Sequence, residues 1–476
     1  MSDGADQPQE QPLPAGLPSH EAGSAVFVTG PFFQRIDWLS FGFTAVVVLV
    51  VYLRTLAPEV TLEYSGILST SAKYAGVAHP PGYPVWTLYS WLFVALLPFS
   101  NIAWRVAVGS AVAAALACGL VALMVSRSGT MLLETTPAFT SRKPAEQALL
   151  RVVCGFVAGM ALGLSRTVWR MAVVAEIWAL TVLLFALMLC LLMRWTGRPE
   201  RRRFLYAALF VLGLLLTSNQ ELFVMTPALL LFVLLSDQAL GRDLSLVISL
   251  LAIADLALSA LGLCRWPGSD MLGSVGLLVA FLLVGVAAVI AIVRTRRFGS
   301  EWKSACLCGV LFLIGLGFYL YLPFASMTNP PMNWGYPRTA EGFFHVLTRG
   351  QYEHWNPTDE LSRFVGQLWI VAKDTAKGFG WPYFVFAALP FGLLRRTGVC
   401  ARHWLLGLAA TLVCVGPLMV GLLNPSEDRA SVDLIPPYFS AMQVILALCT
   451  GLGLMVTGCM VAKPQMQQPP DAMPHS

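Results

Sequence analysis

The chain has 476 residues, 57% hydrophobic and only 12% charged, with a formal net charge of +5. A soluble globular protein carries about 25% charged residues, so a cytosolic enzyme of this composition would expose far too much apolar surface. The apolar residues fall instead into many runs of about 20, the length a bilayer-spanning helix needs. The positive excess sits in short loops, so it gives no argument for a nucleic-acid partner.

Residues 1–35 are rich in Pro, Gly, Gln and acids and lack the basic start and early apolar core of a secretory signal. They read as a disordered cytoplasmic tail, as does the Pro/Gln-rich stretch 463–476. Between them, spanning runs are expected near 37–57, 104–125, 149–165, 171–193, 204–218, 220–235, 244–263, 271–293, 304–324, 381–394, 403–423 and 437–461. The fold class is therefore an all-α polytopic membrane protein with about twelve transmembrane helices over residues 36–462. Runs 204–218, 220–235 and 381–394 are short for a bilayer. The stretch 84–98 is also short and carries Trp86, Tyr89, Trp91 and Phe93, a density of aromatics that suits a helix lying at the interface. Phe364 to Lys377, "FVGQLWIVAKDTAK", has helical amphipathic spacing and reads as a second surface-lying helix in the long loop 325–380. The ten cysteines lie within or at the ends of apolar runs, without a C-x-x-C pair, and read as small buried hydrophobes.

Orientation follows from the basic residues. With 84–98 not crossing, loops such as "MRWTGRPERRR" and "VRTRRFGSEWK" fall on the same side as the N-terminus. Most Lys and Arg then lie on that side, which the positive-inside rule makes cytoplasmic. Both termini are expected inside. If 84–98 crossed, the bias would reverse.

This topology gathers the polar residues of five separate loops on the outer face: Glu63 and His79; Arg166, Arg170 and Glu176; Asn219, Gln220 and Glu221; the loop 325–380; and "NPSEDRASVDLIPPY" at 424–438. Ionisable groups at helix mouths are costly unless they are paired or face a water-filled cavity. Arg166 and Arg170 can equally be snorkelling interfacial anchors. Glu176, within an apolar run, would cost roughly 2.5–3.5 kcal/mol facing lipid, so it is expected to face the interior. His79 favours a structural role over metal ligation, because no second histidine is spaced to share a metal. Asn219 and Gln220 either line a site or satisfy backbone groups at a helix break. Pro80, Pro81 and Pro84 turn the chain into the interfacial helix.

The segments "LAPEVTLEYSG" and "YAGVAHPPGYPVWTLYSWLFVALLPFSNIAWRVAVGSA", followed by "VVAEIWALT", "LTSNQ" and "YLPFASMTNPPMNWGYPRTAEGFFHVLTRGQY", resemble the GT-C membrane glycosyltransferases. More closely, they resemble bacterial relatives of the animal transmembrane protein O-mannosyltransferase family. The resemblance implies a first outer loop that carries an acidic catalytic residue between two interfacial helices. It also implies a sugar such as mannose, drawn from a polyprenyl-phosphate donor and moved to a hydroxyl of a protein or glycan acceptor at the periplasmic face of a bacterial inner membrane. The lipid-linked sugar is then a substrate, and nothing supports a resident cofactor or divalent metal. Such chemistry needs a carboxylate to take the acceptor proton and cations to stabilise the departing phosphate. Glu63 and Glu176 are the candidate bases, and Arg166, Arg170, Arg338 and Arg349 the candidate phosphate ligands. His79, Tyr83, Asn219, Gln220, Asn333, Trp334, Gln351 and Tyr352 are candidate substrate contacts.

In one respect the chain departs from the family pattern. Where relatives carry an Asp and a companion Glu, this sequence has Tyr64 and Ile67. Neither is an ordinary carboxylate base, so a catalytically silent protein that binds donor or acceptor is the second expectation. A lipid or solute transporter is the third, and no matching halves with Gly/Pro-interrupted helices support it.

Overall fold

The computed structural model describes residues 31–61, 64–261, 275–351, 357–425 and 435–461. Glu63, Tyr352 and nearly all of both terminal tails lie outside the described residues. Everything below concerns the unit that begins at Phe33.

Among the described residues every regular element is a helix. Apart from the single helical turn Pro137–Thr140, in chain order they are α1 (Arg35–Arg54), α2 (Ser65–Tyr74), α3 (Pro84–Leu96), α4 (Ile102–Leu133), α5 (Pro144–Gly163), α6 (Arg166–Ala172), α7 (Trp178–Thr196), α8 (Arg203–Ser218) and α9 (Gln220–Ser236, its first turns 3-10). They continue as α10 (Gln238–Ala260), α11 (Val275–Thr295), α12 (Trp302–Met327), α13 (Ala340–Leu347), α14 (Leu361–Phe379), α15 (Pro382–Leu393), α16 (Val399–Leu423) and α17 (Pro436–Val461). Eight of these, α1, α4, α5, α7, α11, α12, α16 and α17, are long and apolar enough to cross a membrane. The chain is thus an integral membrane protein. The short runs expected at 204–218, 220–235 and 381–394 form α8, α9 and α15, each under 18 residues long. The run expected at 244–263 belongs to α10, which carries Arg242, Asp243 and Asp255.

The 32-residue α4 is the central post, packed against α1, α5, α7 and α17. At 1.5 Å per residue it is about 48 Å long, enough to reach past a hydrocarbon core of about 30 Å at both ends. Gly155 and Gly159 explain how α5 docks. A Cβ on Gly155 would lie 2.4 Å from Ser40 Oγ and 2.7 Å from the Ala122 carbonyl; one on Gly159 would lie 2.4 Å from Thr44 Cγ2 and 2.7 Å from the Cys118 carbonyl. Small residues four apart let backbones approach where lipid removes the hydrophobic drive between helices.

The loops sort by end. Segments expected on the N-terminal side meet one another: Asp37 with Arg151 at 2.6 Å, Arg202 with Asp237 at 2.8 Å and Glu301 at 2.6 Å, Thr135 Oγ1 with the Arg396 carbonyl at 2.9 Å, and Arg242 with Thr295 at 2.9 Å. Asp37 is fully buried. Its carboxylate is satisfied by Arg151, by the Ser126 hydroxyl and by the Gln34 amide, as a buried charge requires. The segments expected on the opposite side meet around a cavity.

Candidate active site

The first loop turns on its prolines. α2 ends in left-handed Ala75, and Val77 pairs as a short extended bridge with the 332–334 backbone: its amide donates to the Met332 carbonyl at 2.9 Å, and its carbonyl accepts from the Trp334 amide at 3.1 Å. A cis Pro80–Pro81 bond, Gly82 at φ +90° and Tyr83 at φ +44° then reverse the chain into α3, with Pro84 at its first turn. His79 is held inside this reversal. Its ring stacks on Tyr64 at 4.4 Å, its Nε2 lies 3.3 Å from the Tyr83 hydroxyl, and its Nδ1 is buried with no hydrogen-bond partner among the described residues.

A second break lies between α5 and α7. Ser165 caps α6, its hydroxyl accepting from the Val168 amide at 3.4 Å, and Arg166 and Arg170, four apart, share one face of that helix. The chain then leaves helical geometry until Trp178. Glu176 sits in this gap, its carbonyl accepting from Trp86 Nε1 at 3.0 Å and from the Ser110 hydroxyl at 3.4 Å. The apolar run expected at 171–193 is thus interrupted, and the spanning helix starts two residues after the carboxylate.

These two breaks, α14 and the start of α17 enclose a cavity of about 750 Å³. Its wall includes Tyr64, His79 and Tyr83 from the first loop; Arg166, Arg170, Glu176 and Trp178 from the second break; Arg349 from the loop 325–380; Asp374 and Lys377 from α14; and Tyr438. Trp178 and Tyr438 meet edge to face with centroids 4.6 Å apart. Burial, and then the charge of Arg349, push His79 down to about 4, so the ring is neutral at pH 7. Burial alone would weaken the charge of Arg349; Glu221, with Tyr438 and Tyr83 close by, outweighs it and keeps the guanidinium firmly protonated.

The other candidates among the described residues stand outside the cavity wall. Arg338 reaches Asn329 at 2.6 Å and is exposed. Asn333 donates to the Ser326 carbonyl at 3.2 Å, and Trp334 donates to Gln351 at 2.6 Å. Asn219 and Gln220 stand at the α8–α9 break: Asn219 accepts from the Glu221 amide at 3.1 Å, and Gln220 donates to the Leu347 carbonyl at 2.9 Å and the Tyr319 hydroxyl at 3.0 Å. The pair thus stands at the helix break, and Gln220 ties that break to the outer loop. Among the described residues no three His, Cys, Asp or Glu side chains gather as a metal site. Asp374, Lys377, Trp178 and Tyr438 are wall residues that sequence reasoning did not single out. Asp374 and Lys377 were visible only as the polar positions of an amphipathic helix.

The class defined by fold and site is an all-helical integral membrane protein whose loops at one end close over a charged, aromatic-walled cavity. Residues 65–241 match the family model described as the N-terminal domain of protein O-mannosyl-transferase TMEM260. Over 247 residues the chain is 29% identical to protein O-mannosyl-transferase TMEM260 of Mus musculus, covering 49% of this chain and 32% of that protein. Part of the chain is therefore similar to the animal protein O-mannosyltransferase, and the match spans about a third of the length of that curated protein. No solved structure matches it.

Proposed function

We propose that the protein is a membrane glycosyltransferase that moves a hexose such as mannose from a polyprenyl-phosphate donor to a hydroxyl of a protein acceptor. The observation that carries this reading is the single cavity in which Glu176 stands with Arg166, Arg170 and Arg349. In the proposed reaction the Glu176 carboxylate takes the acceptor hydroxyl's proton as that oxygen bonds to the sugar's anomeric carbon. The bond from that carbon to the phosphate oxygen breaks, and the electron pair leaves on the lipid phosphate. The arginines stabilise that charge with fork-shaped donors suited to phosphate. Trp178, Tyr438, Tyr64 and Tyr83 offer faces and hydroxyls for the sugar ring, while His79 lines the wall as a neutral group.

The proposal extends to topology. The four shorter apolar helices and α10 supply the spans and interfacial segments of an approximately twelve-helix GT-C-like chain in a bacterial inner membrane, with both termini cytoplasmic and the cavity periplasmic. The segregation of the loops into two ends supports this arrangement.

A second reading rests on one observation: Tyr64, which stands where relatives carry the catalytic Asp, lines the cavity and stacks on His79. On that reading the site binds donor or acceptor without transfer. The test is to supply the purified protein with radiolabelled polyprenyl-phosphate mannose and outer-face proteins of its host. Transfer that falls at least ~100-fold in Glu176→Gln, with donor still bound, supports the enzyme with Glu176 as base. If Glu63→Gln alone abolishes transfer, the base is Glu63. Donor binding without transfer in the unaltered protein supports the silent form.

A further inference from the structure

Glu221 was a bystander in the sequence, one position beyond the Asn219–Gln220 pair. In the structure its side chain is 4% exposed and forms an ion pair with Arg349, whose side chain is 20% exposed and lines the cavity. Glu221 itself does not line the cavity. Its backbone amide is held by the Asn219 side chain, and Gln220 beside it grips the Leu347 carbonyl, two residues before Arg349. The break between α8 and α9 thus holds both the backbone leading to Arg349 and its guanidinium.

A carboxylate this buried is expensive unless it is paired, and a neutral pair of the same shape would serve packing equally well. What an ion pair adds is geometry. Guanidinium carries five N–H donors in a rigid plane, so fixing one edge on Glu221 sets the direction in which the remaining donors point. Arg166, Arg170 and Lys377, by contrast, are exposed at the cavity rim. We infer that Glu221 is a positioning residue that orients Arg349 as a pre-set ligand for the phosphate of the lipid-linked substrate. This rests on the donor reading given above. The pair offsets in advance the entropy an arginine loses on clamping an anion.

The experiment uses the full chain in lipid nanodiscs. It compares binding of a long-chain polyprenyl phosphate with that of the corresponding polyprenol, which lacks the phosphate. The unaltered protein should prefer the phosphate. Glu221→Gln should lose about tenfold of that preference with polyprenol affinity unchanged. Arg349→Ala should lose at least as much, and the double variant should lose no more than Arg349→Ala, the non-additivity expected of one unit. A Glu221 that only pins the loop would weaken both ligands equally or neither. Preference retained in Glu221→Gln but lost in Arg349→Ala overturns the inference while the donor reading stands. No phosphate preference in the unaltered protein overturns the donor reading itself. Should Glu221→Gln fail to fold, Glu221→Asp keeps the charge but withdraws it by one methylene; an unchanged preference there overturns the inference equally.

Discussion

Arg166 and Arg170 are exposed at the cavity rim, whereas Arg349 is largely buried, so their losses should read differently. Replacing both rim arginines with alanine should weaken donor affinity by about tenfold to 100-fold, with a steep dependence on salt. Donor titrations at two ionic strengths check this. His79 makes a pH prediction. Its folded value of about 4 lies below the unfolded 6.5, so between these limits the unfolded chain binds more protons and stability falls as pH falls. Above pH 6.5 both states are neutral and the effect vanishes. Full protonation of the unfolded state alone is worth about 3 kcal/mol at the low end. The melting temperature in detergent should therefore drop between pH 6.5 and 4.5, and His79→Gln should flatten that drop. An identical profile in the variant would exclude His79 as its source. Glu176 was legible as a single charge within an apolar run, where cost demands a purpose. Tyr438 and Trp178 were not, because an aromatic at a helix end is ordinary in any membrane protein.

At the scale of elements, the close packing of α1, α4 and α5 depends on glycines that admit no side chain. Gly159→Leu should lower stability by roughly 2–3 kcal/mol or more, since the obstructing atoms include the Cys118 backbone carbonyl, which cannot rotate away. Thermal unfolding of the purified variant measures it. α14 carries the opposite design. Its inward face holds buried Gln367 and Thr375, with the Gln367 amide donating to Asn424 at 2.8 Å and to the Pro425 carbonyl at 2.9 Å. Its outward face shows Leu361 at 76%, Val365 at 56% and Trp369 at 69% exposure. Such a helix is suited to lie in the interface with its apolar side in lipid. Brominated lipids should quench a fluorescence component that disappears in Trp369→Phe; equal quenching of both proteins would contradict the placement. The amphipathic period of this helix was readable from spacing, and the existence of α3 from its short aromatic-rich run. The break before Trp178 was not, because "MAVVAEIWALTV" is apolar on both sides of Glu176 and hydropathy cannot show where backbone hydrogen bonding stops.

For the molecule as a whole, charge bias alone sorted the loops into two sets, and the structure brings each set together by contacts that no single loop discloses. Single cysteines at Thr140 and Ser362, both exposed, should label from opposite sides of sealed vesicles in a cysteine-free background. Labelling of both from the same side would contradict the topology. Spans with strong apolar runs were plain in the sequence. The helices near 204–236 were harder, because the Asn219–Glu221 break divides one apolar stretch into two short helices. The account as a whole stands on the cavity being the place where lipid-linked sugar binds. The direct measurement is photo-crosslinking with a polyprenyl-phosphate mannose analogue carrying its reactive group near the phosphate, followed by mapping of the labelled peptides. The account predicts label on segments containing Tyr83, Arg166 to Trp178, Arg349 or Tyr438, and loss of that label on competition with unmodified donor. Competable label confined to the opposite end, around Asp37, Arg202 or Arg242, would contradict it.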